Sequence, residues 1–219
     1  MATAANEGER AVITIPVVFH VVYNVAAENV SDARLLEQLE VLNDDFRRLN
    51  SDVGETPAYF LAEAADTEIQ FCLATTDPSG NATTGITRTS TTKTSFSTGD
   101  DMKFATYGKT IWDRNKYLNL WVCDLSGGLL GYAQFPGGAA STDGVVIDYQ
   151  YIGVTGAAAP YNLGRTATHE VGHWLNLFHI WGDDGTSCAG SESVGDTPNQ
   201  ADENYGCPNG AIRISCSNG

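Results

Sequence analysis

The chain has 219 residues, a length that suits one large domain or two lobes. Its proportions of hydrophobic residues, 42%, and charged residues, 18%, are typical of a folded globular protein. Its formal net charge of -15 at pH 7 argues against nucleic acid as a partner, because such a surface repels a polyphosphate. No apolar run approaches the roughly 20 residues that cross a bilayer, and the first residues lack the basic flank and apolar stretch of a signal peptide.

The first predicted elements are a strand and a helix. Residues 11–23 are almost all β-branched or apolar, which predicts a buried strand. His20 lies inside it without an acidic or cysteine neighbour in sequence, so we interpret it as structural. Ser31 can cap the helix that follows. Apolar residues then recur at steps of four and three and predict one stripe facing the sheet: Leu35, Leu39, Leu42, Phe46 and Leu49.

Two further strands are predicted in the middle of the chain. Residues 68–74 and 117–125 are apolar and strand-like, and a turn signal at 77–80 follows the first of them. Residues 81–101 are rich in Thr and Ser with little hydrophobic pattern, which predicts a surface loop.

A glycine-rich edge strand and a second helix complete the predicted fold. In residues 127–136 glycines are interleaved with apolar residues before a proline, a composition typical of an edge strand. Residues 144–152 follow a turn and predict another buried strand, and residues 160–165 lead into the second helix. The order of elements predicts an α/β (α+β) fold, a twisted mixed sheet with one backing helix and one further helix.

The second helix carries the sequence THEVGHWLNLFHI, residues 168–180. His169 and His173 are four residues apart and therefore project from one helix face, where both can bind one metal ion. Glu170 lies beside the first of them, where it can deprotonate a water without being a ligand. His179 can join the same ion only if the helix ends before it. Asn176 stands where that break is needed, and asparagine readily takes the left-handed backbone that ends helices.

These histidines point to metal-dependent hydrolysis. A single histidine would be interpreted as a buried core residue, but three of the four in the chain fall within eleven residues. A purely structural zinc or adhesion domain needs a closed coordination shell, and no fourth cysteine or histidine lies near the motif in sequence.

The motif resembles that of a known family. HEVGHWLNLFH is similar to the extended zinc signature of the metzincin metallopeptidases, and HIWGDD, a later cysteine and GDTPNQ resemble the pappalysin branch, which includes ulilysin-like and cytophagalysin-like enzymes. The likeness extends upstream to GLLGYAQFP and downstream to the last residue. It implies a secreted, monomeric endopeptidase with zinc on His169, His173 and His179, Glu170 as general base, and an extended peptide as substrate.

The chain departs from the family pattern at two points. Asn176 replaces the usual glycine of the signature. Metzincins also have a methionine-bearing turn beneath the zinc, but Met1 and Met102 both precede the motif, so we expect the chain to end before that turn. The alternative function is therefore a zinc-bound fragment or peptide-binding domain with impaired catalysis. The expected domains are an upper subdomain, 1–179, and the beginning of a smaller irregular lower subdomain, 180–219.

The resemblance also assigns a role to the glycine-rich strand. In the family it forms the upper rim of the cleft, where a peptide adds as an antiparallel strand. The alternative is an ordinary edge strand with a glycine bulge. The residues implied in substrate binding are Leu129, Leu130, Gly131, Tyr132 and Ala133.

Five cysteines are present, an odd number. Cys188, Cys207 and Cys216 cluster in a segment rich in small polar residues, where disulfides are favoured over a zinc knuckle because no CxxC pair occurs. The resemblance implies that Cys188 pairs with Cys216 and that Cys207 awaits a partner beyond Gly219. The remaining two, Cys72 and Cys123, are predicted to be small buried residues, or a pair if their strands are neighbours.

Acidic residues follow the histidine motif in a loop with little apolar content. Their hard oxygen atoms suit Ca²⁺, which takes six to eight such ligands and orders loops of this kind. The alternative is that they are ordinary solvated loop acids, but related pappalysins carry structural calcium here, so the resemblance implies a calcium site. The residues concerned are Asp183, Asp184, Glu192, Asp196 and Thr197.

Overall fold

A computed structural model describes residues 11–206 and 215–217 of the chain. The strands are β1 Ile13–Tyr23, β2 Ile69–Leu73, β3 Ile86–Ser90, β4 Leu118–Cys123, β5 Gly131–Ala133 and β6 Val145–Asp148, and the α-helices are α1 Asp32–Phe46 and α2 Arg165–Trp174. The chain divides after residue 174 into two compact units. The predicted division at residue 179 into an upper and a lower subdomain stays a prediction.

The strands form one mixed sheet in the order β2-β1-β4-β6-β5, with β3 paired to β1 in addition. All pairings are parallel except that of β5 with β6. The long strand β1 pairs with β2 through residues 13–17 and with β3 through residues 19–23. The predicted mixed sheet is thereby confirmed, and the antiparallel β5 lies at its end.

The core of the first unit lies around β1, β4 and β6. Every residue of β4 and β6 is buried, as expected for parallel strands covered on both faces. His20 is also fully buried, with its ring nitrogens 2.7 Å from Thr87 Oγ1 and 3.0 Å from Asn119 Oδ1. The structural interpretation of His20 is therefore correct, and burial lowers the pKa of its imidazole to about 4.

The backing helix α1 begins where the sequence predicts. Ser31 is its N-cap, and its Oγ accepts a hydrogen bond from the backbone N–H of Arg34 at 3.4 Å. The helix packs on the sheet through Phe46, whose ring meets that of Phe71 on β2 edge to face at 5.0 Å. Leu49 was expected in the apolar stripe but is 70% exposed, because the helix ends at Phe46 before it.

Gln38 is a buried polar residue that the apolar pattern of α1 does not indicate. Its amide donates to the carbonyl of Gly164 at 2.9 Å and accepts from the N–H of Gly153 at 2.9 Å. Both partners are buried backbone groups in the stretch before α2. The Gln38 side chain therefore supplies hydrogen bonds that these groups would otherwise lack.

Three other expectations from the sequence are wrong. The segment 81–101, predicted as a loop, contains β3, where β-branched Ile86, Thr87 and Thr89 pair with β1 although the strand has no hydrophobic pattern. The strand expected at 144–152 is limited to β6. Cys72 is exposed rather than buried, whereas Cys123 is buried as expected. Both thiols are free, and β1 separates β2 from β4, so the condition for their pairing is not met.

The second unit is built differently. In the part described, residues 175–206 and 215–217, it consists of turns and bends without a helix or strand. A disulfide joins Cys188 to Cys216, the pairing that the family resemblance implies. Cys207 lies outside the described residues. None of the helices in the part of the chain that the structure describes has the length and apolar composition of a membrane span.

Candidate active site

Helix α2 is anchored at its start by charged groups that the sequence motif does not indicate. Arg165, its first residue, forms ion pairs at 2.9 Å with Asp45 of α1 and at 2.9 Å with Asp52. Thr168 adds a hydrogen bond from its hydroxyl to the Asp45 carboxylate at 2.7 Å. Because Arg165 and Thr168 lie in the first turn of α2 and both contact Asp45, this carboxylate ties the start of α2 to α1.

His169 and His173 face the same side of α2, as their spacing predicts. Their Nε2 atoms lie 3.0 Å apart, and their ring centroids are 4.5 Å apart. His173 also meets the ring of Phe135 at 5.0 Å between centroids. Two imidazole nitrogens at this separation can share one ion, because nitrogens around a tetrahedral zinc at about 2.1 Å lie about 3.4 Å from one another.

The chain turns away from the helix axis where the sequence requires it. Helix α2 ends at Trp174, and Asn176 has a φ of 75°, the left-handed conformation expected of it. The ligand atoms of His169, His173 and His179 all lie within 4.8 Å of one another. Three neutral nitrogen donors are a set that Zn²⁺ prefers, so the donor chemistry fits this metal.

Glu170 lies on α2 next to the first histidine but on a buried face. Its residue is 8% exposed, and burial raises the pKa of its carboxyl to about 7. Gly131 of β5 packs against it so closely that an added Cβ would stand 3.1 Å from Glu170 Cγ and 2.9 Å from the carbonyl oxygen of Val146. The absence of a side chain at Gly131 therefore lets the edge strand approach the carboxylate.

The sequence profile of the family described as pregnancy-associated plasma protein-A (Peptidase_M43) matches residues 101–218, which include the three histidines, Glu170 and β5. The chain belongs to the pappalysin family of metalloproteases. The resemblance recognised in the histidine motif is thus confirmed, and zinc is the metal that this family implies for the three histidines.

Individual relatives agree with this membership. The extracellular metalloprotease of Verticillium alfalfae is 36% identical over 224 residues, which are 97% of this chain and 66% of that protein. The extracellular metalloprotease of Pyricularia oryzae is 33% identical over 228 residues, 99% of this chain and 68% of that protein. The chain therefore spans about two thirds of the length of these relatives.

Solved structures show the same fold. The structure of mature mirolysin from Tannerella forsythia in complex with a cleaved peptide is 52% identical and superposes with a TM-score of 0.93, covering 96% of this chain and 80% of that chain. Mirolysin in complex with compound 9 gives a TM-score of 0.92 at the same identity and the same coverage. The predicted metzincin-like α/β fold is confirmed for this pappalysin.

The predicted substrate rim coincides with β5. Gly131, Tyr132 and Ala133 form the strand, and Leu129 and Leu130 precede it. β5 pairs with β6 along one edge and is the last strand of the sheet order, so its other edge has no strand partner in the part of the chain that the structure describes.

A buried cation beneath this strand was not found by sequence reasoning. Lys103 has a fully buried side chain whose Nζ lies 2.8 Å from Asp100 Oδ1 and donates to the carbonyl of Thr142 at 2.7 Å. Its ammonium also lies 5.0 Å from the ring of Tyr132, whose hydroxyl donates to Asp100 at 2.8 Å. The network ties Tyr132, and with it β5, to the core.

The acidic residues predicted to bind calcium are not gathered into one cluster. Among the described residues, the three histidines are the one set of three or more His, Cys, Asp or Glu side chains placed to hold a metal ion. Asp183 contacts His179, Asp184 accepts from the N–H of Gly190 at 2.7 Å, and Glu192 accepts from the hydroxyl of Thr197. The calcium site, with Asp196 among its predicted ligands, stays a prediction.

Proposed function

We propose that this pappalysin is a secreted zinc endopeptidase that hydrolyses peptide bonds in extended chains, with zinc on His169, His173 and His179 and Glu170 as general base. The observation that carries the proposal is the convergence of three imidazoles beside a buried carboxylate on the same helix as two of them. The relatives named extracellular metalloproteases support secretion.

The chemistry divides between metal and protein. When bound, a zinc ion supplies Lewis-acid chemistry, polarising the scissile carbonyl and making water a stronger acid. Glu170 accepts a proton from the water that attacks the carbonyl carbon, and it returns that proton to the nitrogen as the C–N bond breaks. A carboxylate whose pKa burial raises to about 7 is well matched to this exchange, since it can both take and release a proton near neutral pH.

The edge strand supplies a binding surface for the substrate. We infer that a peptide adds antiparallel to the edge of β5 that faces away from β6 and donates and accepts main-chain hydrogen bonds there. Gly131 packs on Glu170, and Phe135 lies against His173, so the chain from β5 to Phe135 runs in the same direction as α2. An antiparallel peptide would therefore place residues that precede the scissile bond toward Phe135.

Replacing Glu170 with Ala or Gln tests the general base. Both variants should keep one equivalent of zinc, measured by elemental analysis, and lose about 10²- to 10⁴-fold in the rate of cleaving an unfolded protein. Glu40 on the exposed face of α1 provides a matched control, and Glu40→Gln should cleave at the parent rate. A Glu170→Gln variant as fast as the parent would show that the base is another group.

The same assay separates the endopeptidase from the alternative function. Removal of zinc by a chelator should abolish cleavage, and added zinc should restore it. A parent protein that holds zinc and binds unfolded peptides without cleaving any of them would instead support a peptide-binding domain.

A further inference from the structure

His179 differs from the two helical histidines in how its ring is held. Its Nδ1 lies 2.8 Å from Asp183 Oδ1 and 3.0 Å from Asp183 Oδ2, so both carboxylate oxygens face one ring nitrogen. The indole of Trp181 stacks on the imidazole with 4.3 Å between centroids and 11° between planes. One contact lies in the plane of the ring and the other covers its face, and together they restrict its rotation.

The backbone between these residues is shaped to bring Asp183 back to the ring. The N–H of Gly182 donates to the carbonyl of His179 at 2.9 Å, which closes a tight turn. Gly182 and Asp183 then both have left-handed backbone, with φ of 67° and 52°. A Cβ at Gly182 would stand 2.4 Å from the N–H nitrogen of Ser191, so the turn accepts only glycine there.

The contact with a carboxylate decides which nitrogen of His179 is available to a metal. An ionised carboxylate only accepts hydrogen bonds, so Nδ1 must carry the hydrogen. In a neutral imidazole the lone pair is then on Nε2, which is the form that binds a metal ion. A carboxylate on the far nitrogen also makes the ring a better electron donor.

We propose that Asp183 is a positioning residue for zinc, which holds His179 in the tautomer and orientation that present Nε2 to the ion. The inference rests on the proposed zinc site and adds to it a residue outside the histidine motif. Asp183 acts through His179 and is itself neither a zinc ligand nor a catalytic residue. Its neighbour Asp184 bonds the backbone of Gly190 instead, and therefore lacks this role.

The test is the zinc affinity of variants of the full chain, measured by competition with a chromophoric chelator in calcium-free buffer. Asp183→Ala should weaken zinc binding by about 10- to 100-fold, as loss of a hydrogen-bond partner behind a metal ligand does in general. Asp183→Asn keeps an oxygen that can accept from Nδ1, so it should recover part of that loss. Asp184→Ala removes a contact in the same turn region and should bind zinc within about twofold of the parent.

Each outcome has a defined meaning. Equal losses in Asp183→Ala and Asp184→Ala, or a parental affinity in Asp183→Ala, would overturn the inference while leaving the zinc site intact. A loss that appears only when Ca²⁺ is added would also overturn it, because Asp183 would then act through calcium. Thermal unfolding of the metal-free proteins should be the same for parent and Asp183→Asn, which separates ring orientation from folding. A parent that binds no zinc would refute the proposed function itself.

Discussion

The two regions that supply the histidines hold them by different means. In the region up to residue 174, His169 and His173 are placed by a helix that is itself held by the packed sheet and by ion pairs such as that of Arg165 with Asp45. In the region from residue 175, His179 is held by neighbours two and four residues away, within turns. We therefore expect stability in the first region to be global, and stability in the second to be local and dependent on covalent and metal links.

Lys103 offers the largest expected effect in the first region. Lys103→Ala leaves Asp100 without its buried partner and opens a cavity beside Trp121, and we expect it to lower the free energy of unfolding by about 3–5 kcal/mol in urea denaturation. Lys116 is a matched control, since its side chain is 71% exposed and its ion pair with Asp113 is loose, at 3.7 Å. Lys116→Ala should change stability by less than about 0.5 kcal/mol. If the two variants lowered the free energy of unfolding by similar amounts, the core would not depend on the Lys103 cation.

The disulfide provides the corresponding test in the second region. Cys188 and Cys216 are 28 residues apart, and closing a loop of that length stabilises the cross-linked chain by about 3–4 kcal/mol in the chain-entropy account. Replacing both with serine should raise hydrogen exchange strongly in residues 175–206 and leave β1 and β4 protected. Exchange that rises equally in both regions would show that the first region depends on the second for its stability.

His20 makes the stability of the first region depend on pH. Its pKa is about 4 in the folded protein, against an ordinary value of 6.5, so the unfolded chain binds a proton between these values and the folded chain does not. The stability from the neutral ring is fully present above pH 6.5 and is lost as the pH falls toward about 4, by about 3 kcal/mol in total.

His20→Gln removes the titrating group while leaving an amide that can meet Thr87 and Asn119. Urea denaturation at a series of pH values should therefore show a shallower decline between pH 6.5 and 4 in the variant than in the parent. Parallel curves would mean that other groups account for the acid sensitivity of the first region.

Local patterns in the sequence predicted the features that depend on near neighbours along the chain. The hydroxyl of Ser31 caps α1, Asn176 takes the left-handed backbone that ends α2, and the spacing of His169 and His173 puts both rings on one face. These predictions succeed because caps, helix ends and helix faces are set within a few residues.

Features that depend on distant partners were missed. β3 forms because it pairs with β1, and its Thr-rich sequence carries no hydrophobic pattern that could indicate this. Lys103 was not identified because a buried lysine is acceptable only where Asp100 and a backbone carbonyl meet it, and only the fold brings these together.

From the sequence alone we predicted the family, which the comparisons confirm, and the histidines and glutamate that we propose as metal ligands and base. These residues could be found because helical periodicity and one turn relate them over eleven residues. The tertiary structure decided the surroundings of that motif: the burial of Glu170 against Gly131 and the anchoring of α2 by Asp45. Those contacts join residues far apart along the chain, and their placement follows from how strands and helices pack rather than from any local preference.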